Sequence, residues 1–237
     1  MFVIIIPARL ASTRFPNKIL ADIHGLPMVI ATAKRVEKID NVAIAADTQE
    51  VVNLAQSYGF QAILTSKEHQ SGTDRINEAA LKLKLPSDEI IINVQADEPF
   101  IEEEVVRSVM KRAKQTDAMI TSACKKIDLL HVKGPNLVKV LLDANQHAIY
   151  FSRSPIPYDR EGGFDGYFGH LGIYAFRQNA LQTFCSLPYA PIEHIEKLEQ
   201  LRALYHGYTI AMVEVQSQSF GIDTPEDLER ALTLFKC

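Results

Sequence analysis

Short apolar runs alternate with amphipathic segments through the first half of the chain. Residues 2–6 form an unbroken apolar run, and similar runs occur at 42–46, 61–64 and 89–94. Such runs are typical of strands buried on both faces of a sheet. Between the runs, apolar residues recur at helical spacing, as at Val29, Ala33 and Val36 after Pro27. This alternation predicts an α/β fold built from βαβ units, with a mostly parallel sheet flanked by helices.

Polar residues at the segment ends predict where helices begin. Asp47 and Glu50 form a candidate capping box, and Thr73 is a candidate N-cap for the helix predicted at 73–83. Thr224 as N-cap and Pro225 at the first helical position predict a final helix. Another, charged helix is predicted from four apolar residues on one face: Ile195, Leu198, Leu201 and Leu204.

The second half of the chain is richer in predicted strands. Runs at 137–142 and 148–152 flank a turn-rich tetrapeptide and predict a hairpin. A further strand is predicted at 169–176, after a glycine-rich loop that we expect to be mobile. We expect a single domain over 1–237, in which the region of about 125–177 is a small β-rich subdomain. It would cover one side of a cleft and form a dimer contact.

Ligands of parallel α/β sheets bind beyond the carboxyl ends of the strands, so the loops at 7–18 and 95–100 are the candidate site. The first loop carries Arg9, Arg14 and Lys18 but matches neither GxxxxGK[ST] nor GxGxxG. Several cations suit a polyphosphate, because the planar arginine fork matches phosphate oxygens. We therefore predict a polyphosphate site here rather than a solvated basic loop.

Two carboxylates are candidate metal ligands. Asp97 follows the fourth predicted strand, and Mg²⁺ usually binds one or two carboxylates together with phosphates. The alternative for Asp97 is a turn residue before Pro99, and Glu98 is expected only to occupy that turn. Asp223 precedes the last predicted helix, where capping is the stronger interpretation from the residues alone.

Composition narrows the class of protein. The 237 residues carry a formal net charge of −4, which argues against a nucleic-acid partner. The three cysteines are widely spaced and suggest neither disulfides nor a CxxC metal site, and Cys124 is expected in a buried strand. The N-terminal apolar run is too short for a membrane span or a signal peptide, so we expect a cytoplasmic protein without a membrane partner.

The basic loop and several later segments carry a resemblance. Ile6-Pro7-Ala8-Arg9, residues 12–16 and Lys18 are similar to the signature of the sugar-acid cytidylyltransferases. Further similar segments, in the same order along nearly the whole chain, are 22–28, 69–75, 93–99, 150–153, 170–174, 196–202 and 221–228. Two features depart from the family pattern: Ala96 stands where glycine is usual, and the segment between Arg153 and His170 is short.

The resemblance implies a Rossmann-like fold of the nucleotide-diphospho-sugar transferase type. It implies CMP transfer from CTP to 3-deoxy-manno-octulosonate (KDO), for lipopolysaccharide biosynthesis, by a Mg²⁺-dependent homodimer. An 8-amino analogue of KDO and a sialic acid are alternative acceptors. A protein of another class, a nucleotide-binding regulator without catalysis, is a further alternative, although the cations and carboxylates of the site are all present.

The resemblance also implies roles for individual residues. The residues it assigns to nucleotide binding are Ala8, Arg9, Ser12, Arg14, Lys18, Ser71, Gly72, Thr73 and Arg75. Its catalytic residues are Arg9, Lys18 and Asp97. It assigns binding of the sugar acid to Gln95, Arg153, His170, Tyr174, Glu199 and Gln200, and binding of Mg²⁺ to Asp97 and Asp223. Without the resemblance, His170 suggests a structural histidine, Tyr174 a core aromatic, and Glu199 and Gln200 a solvated helix face.

Overall fold

The main sheet of the computed structural model, which describes residues 2–12 and 14–236, is built around the first strand. The strands are β1 (Phe2–Ala8), β2 (Asp22–Ile23), β3 (Leu26–Pro27), β4 (Val42–Ala46), β5 (Gln61–Leu64), β6 (Ile90–Asn93), β7 (Ile120–Lys126), β8 (Lys139–Leu142), β9 (Ala148–Ser152), β10 (Phe168–Arg177) and β11 (Ile210–Glu214). The helices are α1 (Met28–Val36), α2 (Gln49–Ser57), α3 (Gly72–Lys82), α4 (Glu103–Lys114), α5 (Leu129–Val132), α6 (Gln178–Ser186), α7 (Pro191–Glu196), α8 (Leu201–Tyr205) and α9 (Pro225–Leu234).

Strand direction determines where the loops of the sheet meet. The order across the main path is β11-β7-β10-β6-β1-β4-β5, and the β8–β9 hairpin joins through β10. β1 pairs in parallel with β4 and β6, β4 with β5, and β7 with β11, whereas β10 is antiparallel to its neighbours. The predicted mostly parallel sheet is confirmed. The carboxyl ends of β1, β6 and β11 therefore open at one edge, where β10 begins.

The alternating side chains of β1 divide the core into two layers. Ile4 and Ile6 pack with α1, α2 and α4, whereas Val3 and Ile5 pack on the other face with α3, α6 and α8. Full burial of each isoleucine stabilises the fold by about 1.5–3 kcal/mol. Because β1 is held from both sides, it is a rigid support for the basic loop that follows it.

Most of the predicted elements are confirmed, including the strands of the first half, the β8–β9 hairpin and β10. Cys124 is buried in β7. Thr224 caps α9, accepting from the Asp227 amide at 3.2 Å. The region 125–177 contributes β8, β9 and β10 to the main sheet; its role as a dimerisation subdomain stays a prediction.

Two predicted helix caps are wrong. The residue that caps α2 is Thr48, which accepts from the Val51 amide, while the Asp47 carboxylate accepts from the Leu10 amide at 3.1 Å. Ser71 caps α3, accepting from the Asp74 amide at 3.0 Å, and Thr73 lies inside the helix. In both places two capping residues stand close together, and tertiary contacts decide between them.

The single charged helix predicted through Ile195 and Leu204 is also wrong. Lys197 adopts a left-handed backbone conformation (φ 54°) and ends α7, and α8 begins at Leu201. Ile195 is 79% exposed instead of packed. A buried ion pair joins the two short helices: Arg202 donates from Nε and Nη2 to the Glu193 carboxylate at 2.9 and 2.6 Å.

We predict that Arg202→Leu lowers the free energy of unfolding by about 3–5 kcal/mol, because it leaves the Glu193 carboxylate buried without its partner. Arg230→Ala is the matched control, since the Arg230 side chain is 63% exposed beside Asp227 and its loss costs at most about 1 kcal/mol. Urea unfolding of both variants is the measurement. Equal effects would show that the ion pair does not stabilise the turn between α7 and α8.

Candidate active site

Lys18 bridges two carboxylates that are far apart in sequence. Its Nζ donates to Asp97 Oδ2 at 2.5 Å and to Asp223 Oδ1 at 3.0 Å. Burial disfavours the charged ammonium, but the attraction of Asp97 and Asp223 outweighs it and raises the pKa of Lys18 above its ordinary value. The Ile222 amide also donates to the Asp97 carbonyl at 2.9 Å, so the loops carrying the two acids are joined directly.

A cationic cavity of about 320 Å³, here called the first cavity, lies beside this bridge. It is lined by Pro7, Arg9, Ala11, Ser12, Arg14, Lys18, Ile19, His69, Gln70, Ser71, Gly72, Arg75, Gln95, Ala96, Asp97 and Asp223. The structure thus brings together seven of the predicted nucleotide-binding residues. The cavity combines the cations and backbone donors that a polyphosphate requires.

Two residues predicted to bind nucleotide do not line the first cavity. Ala8 is buried in β1, where its carbonyl accepts from the Asp47 amide at 3.3 Å. Thr73 faces the neighbouring space, and its hydroxyl donates to Glu199 at 2.6 Å. Their nucleotide roles stay predictions.

The amino end of α3 forms one wall of the first cavity. Helix amino ends favour anions, because free N–H groups and the helix dipole point outward there. Gly72 lets the Pro7 side chain approach the start of α3 closely, since a Cβ at position 72 would lie 3.2 Å from Pro7 Cγ. Arg75 is buried and donates to the Thr65 hydroxyl at 2.6 Å and the Ser66 carbonyl at 3.0 Å, which fixes its guanidinium at the cavity wall.

A second cavity, of about 850 Å³, adjoins the first. Four residues line both: Arg14, Gly72, Gln95 and Asp223. The second cavity also contains most of the residues predicted to bind the sugar acid, namely Gln95, His170, Tyr174, Glu199 and Gln200. A molecule in the second cavity would therefore contact the same shared wall as one in the first.

Glu199 and Gln200 line the second cavity, and each carries a buried polar atom without a hydrogen-bond partner among the described residues. They lie in the turn between α7 and α8 rather than on a solvated helix face. Within the described part of the chain, Glu199 Oε1 and Gln200 Nε2 are buried without a hydrogen-bond partner, although Arg202 Nη2 lies 3.7 Å from Glu199 Oε1 as an ion pair. Burial raises the pKa of the Glu199 carboxyl. Buried polar atoms are seldom left unpaired, so this acceptor and donor indicate a place for a polar ligand.

His170 and Tyr174 lie side by side in β10, with ring centroids 5.4 Å apart. Burial lowers the pKa of His170 to about 3 and raises that of Tyr174, so both are neutral near pH 7. The Tyr174 hydroxyl lies 3.5 Å from Gln200 Oε1, and His170 Nε2 lies 2.9 Å from the Ser122 hydroxyl.

The structure does not bring Arg153 to either cavity. Its guanidinium donates to three backbone carbonyls, those of Glu196, Pro135 and Lys197, at 2.7, 2.9 and 3.4 Å. Arg153 therefore ties β9 to the end of α7 in this arrangement. Binding of the sugar acid by Arg153 stays a prediction that requires these bonds to be exchanged.

Glu98 has a more buried position than sequence reasoning suggested. It lines the second cavity, and its Oε2 is one of the buried oxygens without a hydrogen-bond partner among the described residues. Burial, followed by repulsion from Asp97, raises the pKa of Glu98 to about 8. The sequence gives no indication that Glu98 is buried, because Gly221, from a distant loop, helps to enclose its side chain.

Comparison with known proteins agrees with this geometry. The family model described as cytidylyltransferase matches residues 3–210. This chain belongs to the cytidylyltransferase family. Two relatives are named 3-deoxy-manno-octulosonate cytidylyltransferase: one from a Nitratiruptor species is 59% identical over 96% of this chain and 97% of its own, and one from Wolinella succinogenes is 52% identical over 98% of each.

Solved structures give the same family and a wider fold group. A CMP:2-keto-3-deoxy-manno-octonic acid synthetase complexed with CTP is 38% identical to this chain and superposes with a TM-score of 0.92. The match covers 98% of this chain and 97% of the synthetase chain. A glucose-1-phosphate thymidylyltransferase from Bacillus anthracis is 16% identical with a TM-score of 0.66, covering 99% of this chain and 95% of its own, which shows the fold alone. The expected Rossmann-like nucleotidyltransferase fold is confirmed.

The neutral state of His170 makes the stability of this cytidylyltransferase depend on pH. The pKa of His170 is about 3 in the folded protein, below the ordinary value of 6.5, so the unfolded chain binds one more proton between these values. The contribution of neutral His170 to the free energy of unfolding is complete above pH 6.5. As the pH falls below 6.5, this contribution is lost at up to about 1.4 kcal/mol per pH unit.

We predict that His170→Gln makes the free energy of unfolding less sensitive to pH between 6.5 and 4.5, whereas the exposed control His131→Gln leaves the wild-type slope unchanged. Urea unfolding at stepped pH is the measurement. A wild-type slope retained in His170→Gln would show that His170 is not held neutral by the fold.

Proposed function

We propose that this cytidylyltransferase transfers CMP from CTP to the anomeric hydroxyl of 3-deoxy-manno-octulosonate and releases pyrophosphate. The observation that carries the proposal is the junction of two cavities, one cationic and one lined by polar side chains, at the Asp97–Lys18–Asp223 bridge. The names of the relatives and the CTP complex of the structural neighbour support the same reaction.

The first cavity suits the triphosphate of CTP. Arg9, Arg14 and Lys18 line it from the loop after β1, and the amino end of α3 faces them. During attack on the α-phosphorus, negative charge moves onto the departing pyrophosphate. Cations that are already in place stabilise this charge without reorganisation.

The donor set beside Lys18 fits Mg²⁺. Asp97 and Asp223 offer two carboxylates that share one cationic neighbour at 2.5 and 3.0 Å. Residues 2–12 and 14–236 contain no group of three or more His, Cys, Asp or Glu placed to hold a metal; this agrees with an ion that takes its other ligands from phosphate and water. When bound, Mg²⁺ would stabilise negative charge on the phosphates.

The second cavity suits the acceptor. Glu199 Oε1 can accept and Gln200 Nε2 can donate a hydrogen bond to sugar hydroxyls, and Gln95 lies on the wall shared with the first cavity. Holding the acceptor hydroxyl against the α-phosphorus supplies much of the acceleration, because a bimolecular step becomes effectively unimolecular.

A covalent intermediate has little support among the described nucleophiles. Burial raises the pKa of the Cys124 thiol to about 12 and also raises that of Cys185, so neither forms a thiolate near neutral pH. Direct attack by the acceptor hydroxyl on CTP is therefore the proposed course.

Several finer predictions accompany this function. Activation of the sugar acid would supply lipopolysaccharide synthesis in the cytoplasm. A homodimer is favoured by exposed apolar side chains around the hairpin and α7, including Ile149, Tyr158 and Ile195. None of the described helices is long and apolar enough to cross a bilayer.

The direct test supplies CTP, Mg²⁺ and one acceptor at a time: KDO, its 8-amino analogue or a sialic acid. We expect pyrophosphate and the CMP-sugar in equal amounts, fastest with KDO. A preference for another acceptor would correct the substrate. CTP binding without pyrophosphate release in any mixture would favour a regulator instead of an enzyme.

We predict that Asp97→Asn lowers turnover by about 10²-fold or more at saturating CTP and Mg²⁺, because it removes charge from the carboxylate pair. Thermal unfolding should show that the variant remains folded. Asp128→Asn, at an exposed position outside both cavities, is the control. Near-normal turnover in Asp97→Asn would exclude Asp97 from the catalytic site.

A further inference from the structure

Ser122 lies in β7 beside the second cavity and is fully buried. Its Oγ is close to three atoms of β10: the Ile173 carbonyl at 2.7 Å, His170 Nε2 at 2.9 Å and the Leu171 carbonyl at 3.3 Å. No motif of the family resemblance includes Ser122. Its contacts nevertheless include His170, which lines the proposed acceptor site.

A bulge in β10 produces this arrangement. Ala123 pairs with Leu171, but the adjacent Ser122 pairs with Tyr174, so Gly172 and Ile173 are extra residues on β10. Bulges interrupt the regular ladder of backbone hydrogen bonds and redirect nearby groups. Here the carbonyls on either side of Gly172 both approach one hydroxyl.

The three contacts determine where the hydroxyl hydrogen lies. Ser122 has one hydrogen to donate, and a backbone carbonyl can only accept. The shortest contact, to the Ile173 carbonyl, takes that hydrogen, with the Leu171 carbonyl as a longer second acceptor. The remaining contact is a hydrogen bond only if His170 Nε2 carries a hydrogen and donates it to Ser122 Oγ.

A neutral imidazole carries one ring hydrogen, so a hydrogen on Nε2 leaves Nδ1 as an acceptor. Burial keeps His170 neutral. Among the described residues, Ser122 is the hydrogen-bond partner of the His170 ring, and His170 lines the second cavity. The free acceptor nitrogen is therefore available for a ligand there.

We propose that Ser122 is a positioning residue, which fixes His170 in the tautomer whose Nδ1 accepts a hydrogen bond from a hydroxyl of the acceptor sugar. This rests on the proposed placement of the acceptor in the second cavity. It also predicts which group of the sugar acid faces His170, because an unprotonated Nδ1 repels a carboxylate and favours a hydroxyl donor. His170 thus selects the polyhydroxylated part of the sugar acid and not its carboxylate.

The tautomer can be measured on the free full-length protein. In ¹⁵N-histidine-labelled enzyme at pH 7, with the His170 signals identified by their loss in His170→Gln, we expect the hydrogen on Nε2 alone. In Ser122→Ala we expect both tautomers or exchange-broadened signals, and in Ser122→Thr, which keeps the hydroxyl, the wild-type pattern. A hydrogen on Nδ1 in the wild-type protein would overturn the proposal.

Steady-state kinetics tests the functional consequence. Ser122→Ala should raise KM for the sugar acid about tenfold, as for one lost hydrogen bond, and leave KM for CTP within about twofold. Ser122→Thr should restore the wild-type value. Thr121→Val is the control, because it removes another buried hydroxyl from β7. An unchanged sugar-acid KM in a folded Ser122→Ala enzyme would overturn the proposal.

These measurements separate the proposal from the proposed function. Failure of the wild-type enzyme to transfer CMP to any sugar acid would contradict the function, whereas the tautomer in the free protein would still support or overturn the contact between Ser122 and His170.

Discussion

The Lys18 ammonium holds together two carboxylates from distant parts of the chain. Asp97 comes from the loop after β6 and Asp223 from the loop before α9, and without a cation between them these acids would repel each other. Lys18 itself follows the loop after β1. This one group therefore links three loops, and the Ile222–Asp97 backbone bond and the ion pair of Arg14 with Asp223 at 3.0 Å reinforce the link.

The sheet makes this convergence possible. Because β1, β6 and β11 run in the same direction, the loops after them reach the same edge. β10 runs the opposite way and begins at that edge, so His170 and Tyr174 face the space beside the cationic loop. Opposite strand directions thus place candidate phosphate-binding residues and candidate acceptor-binding residues next to each other. The chemistry requires this proximity, since the acceptor oxygen must reach the α-phosphorus of CTP.

Much of this arrangement was predictable from local patterns. Unbroken apolar runs indicate buried strands, and the cations after the first run indicate an anion site, because both signals depend on residues close in sequence. The remainder depends on tertiary contacts. The break at Lys197 has no local marker, Thr48 and Asp47 are both competent caps, and the burial of Glu98 is created partly by Gly221. The contacts of Arg153 with backbone carbonyls are likewise invisible in the sequence.

Lys18 occupies the space between two carboxylates that we propose as cation ligands. The decisive experiment is calorimetric titration of Mg²⁺ into the wild-type protein and Lys18→Met, without nucleotide. Lys34→Met on α1 is the control for loss of a lysine away from the site. We expect Lys18→Met to bind Mg²⁺ at least about tenfold more tightly, because the positive charge shared by both carboxylates is gone and only Arg14 remains beside Asp223. Unchanged or weaker binding by the folded variant would show that Lys18 does not compete with a cation for this space.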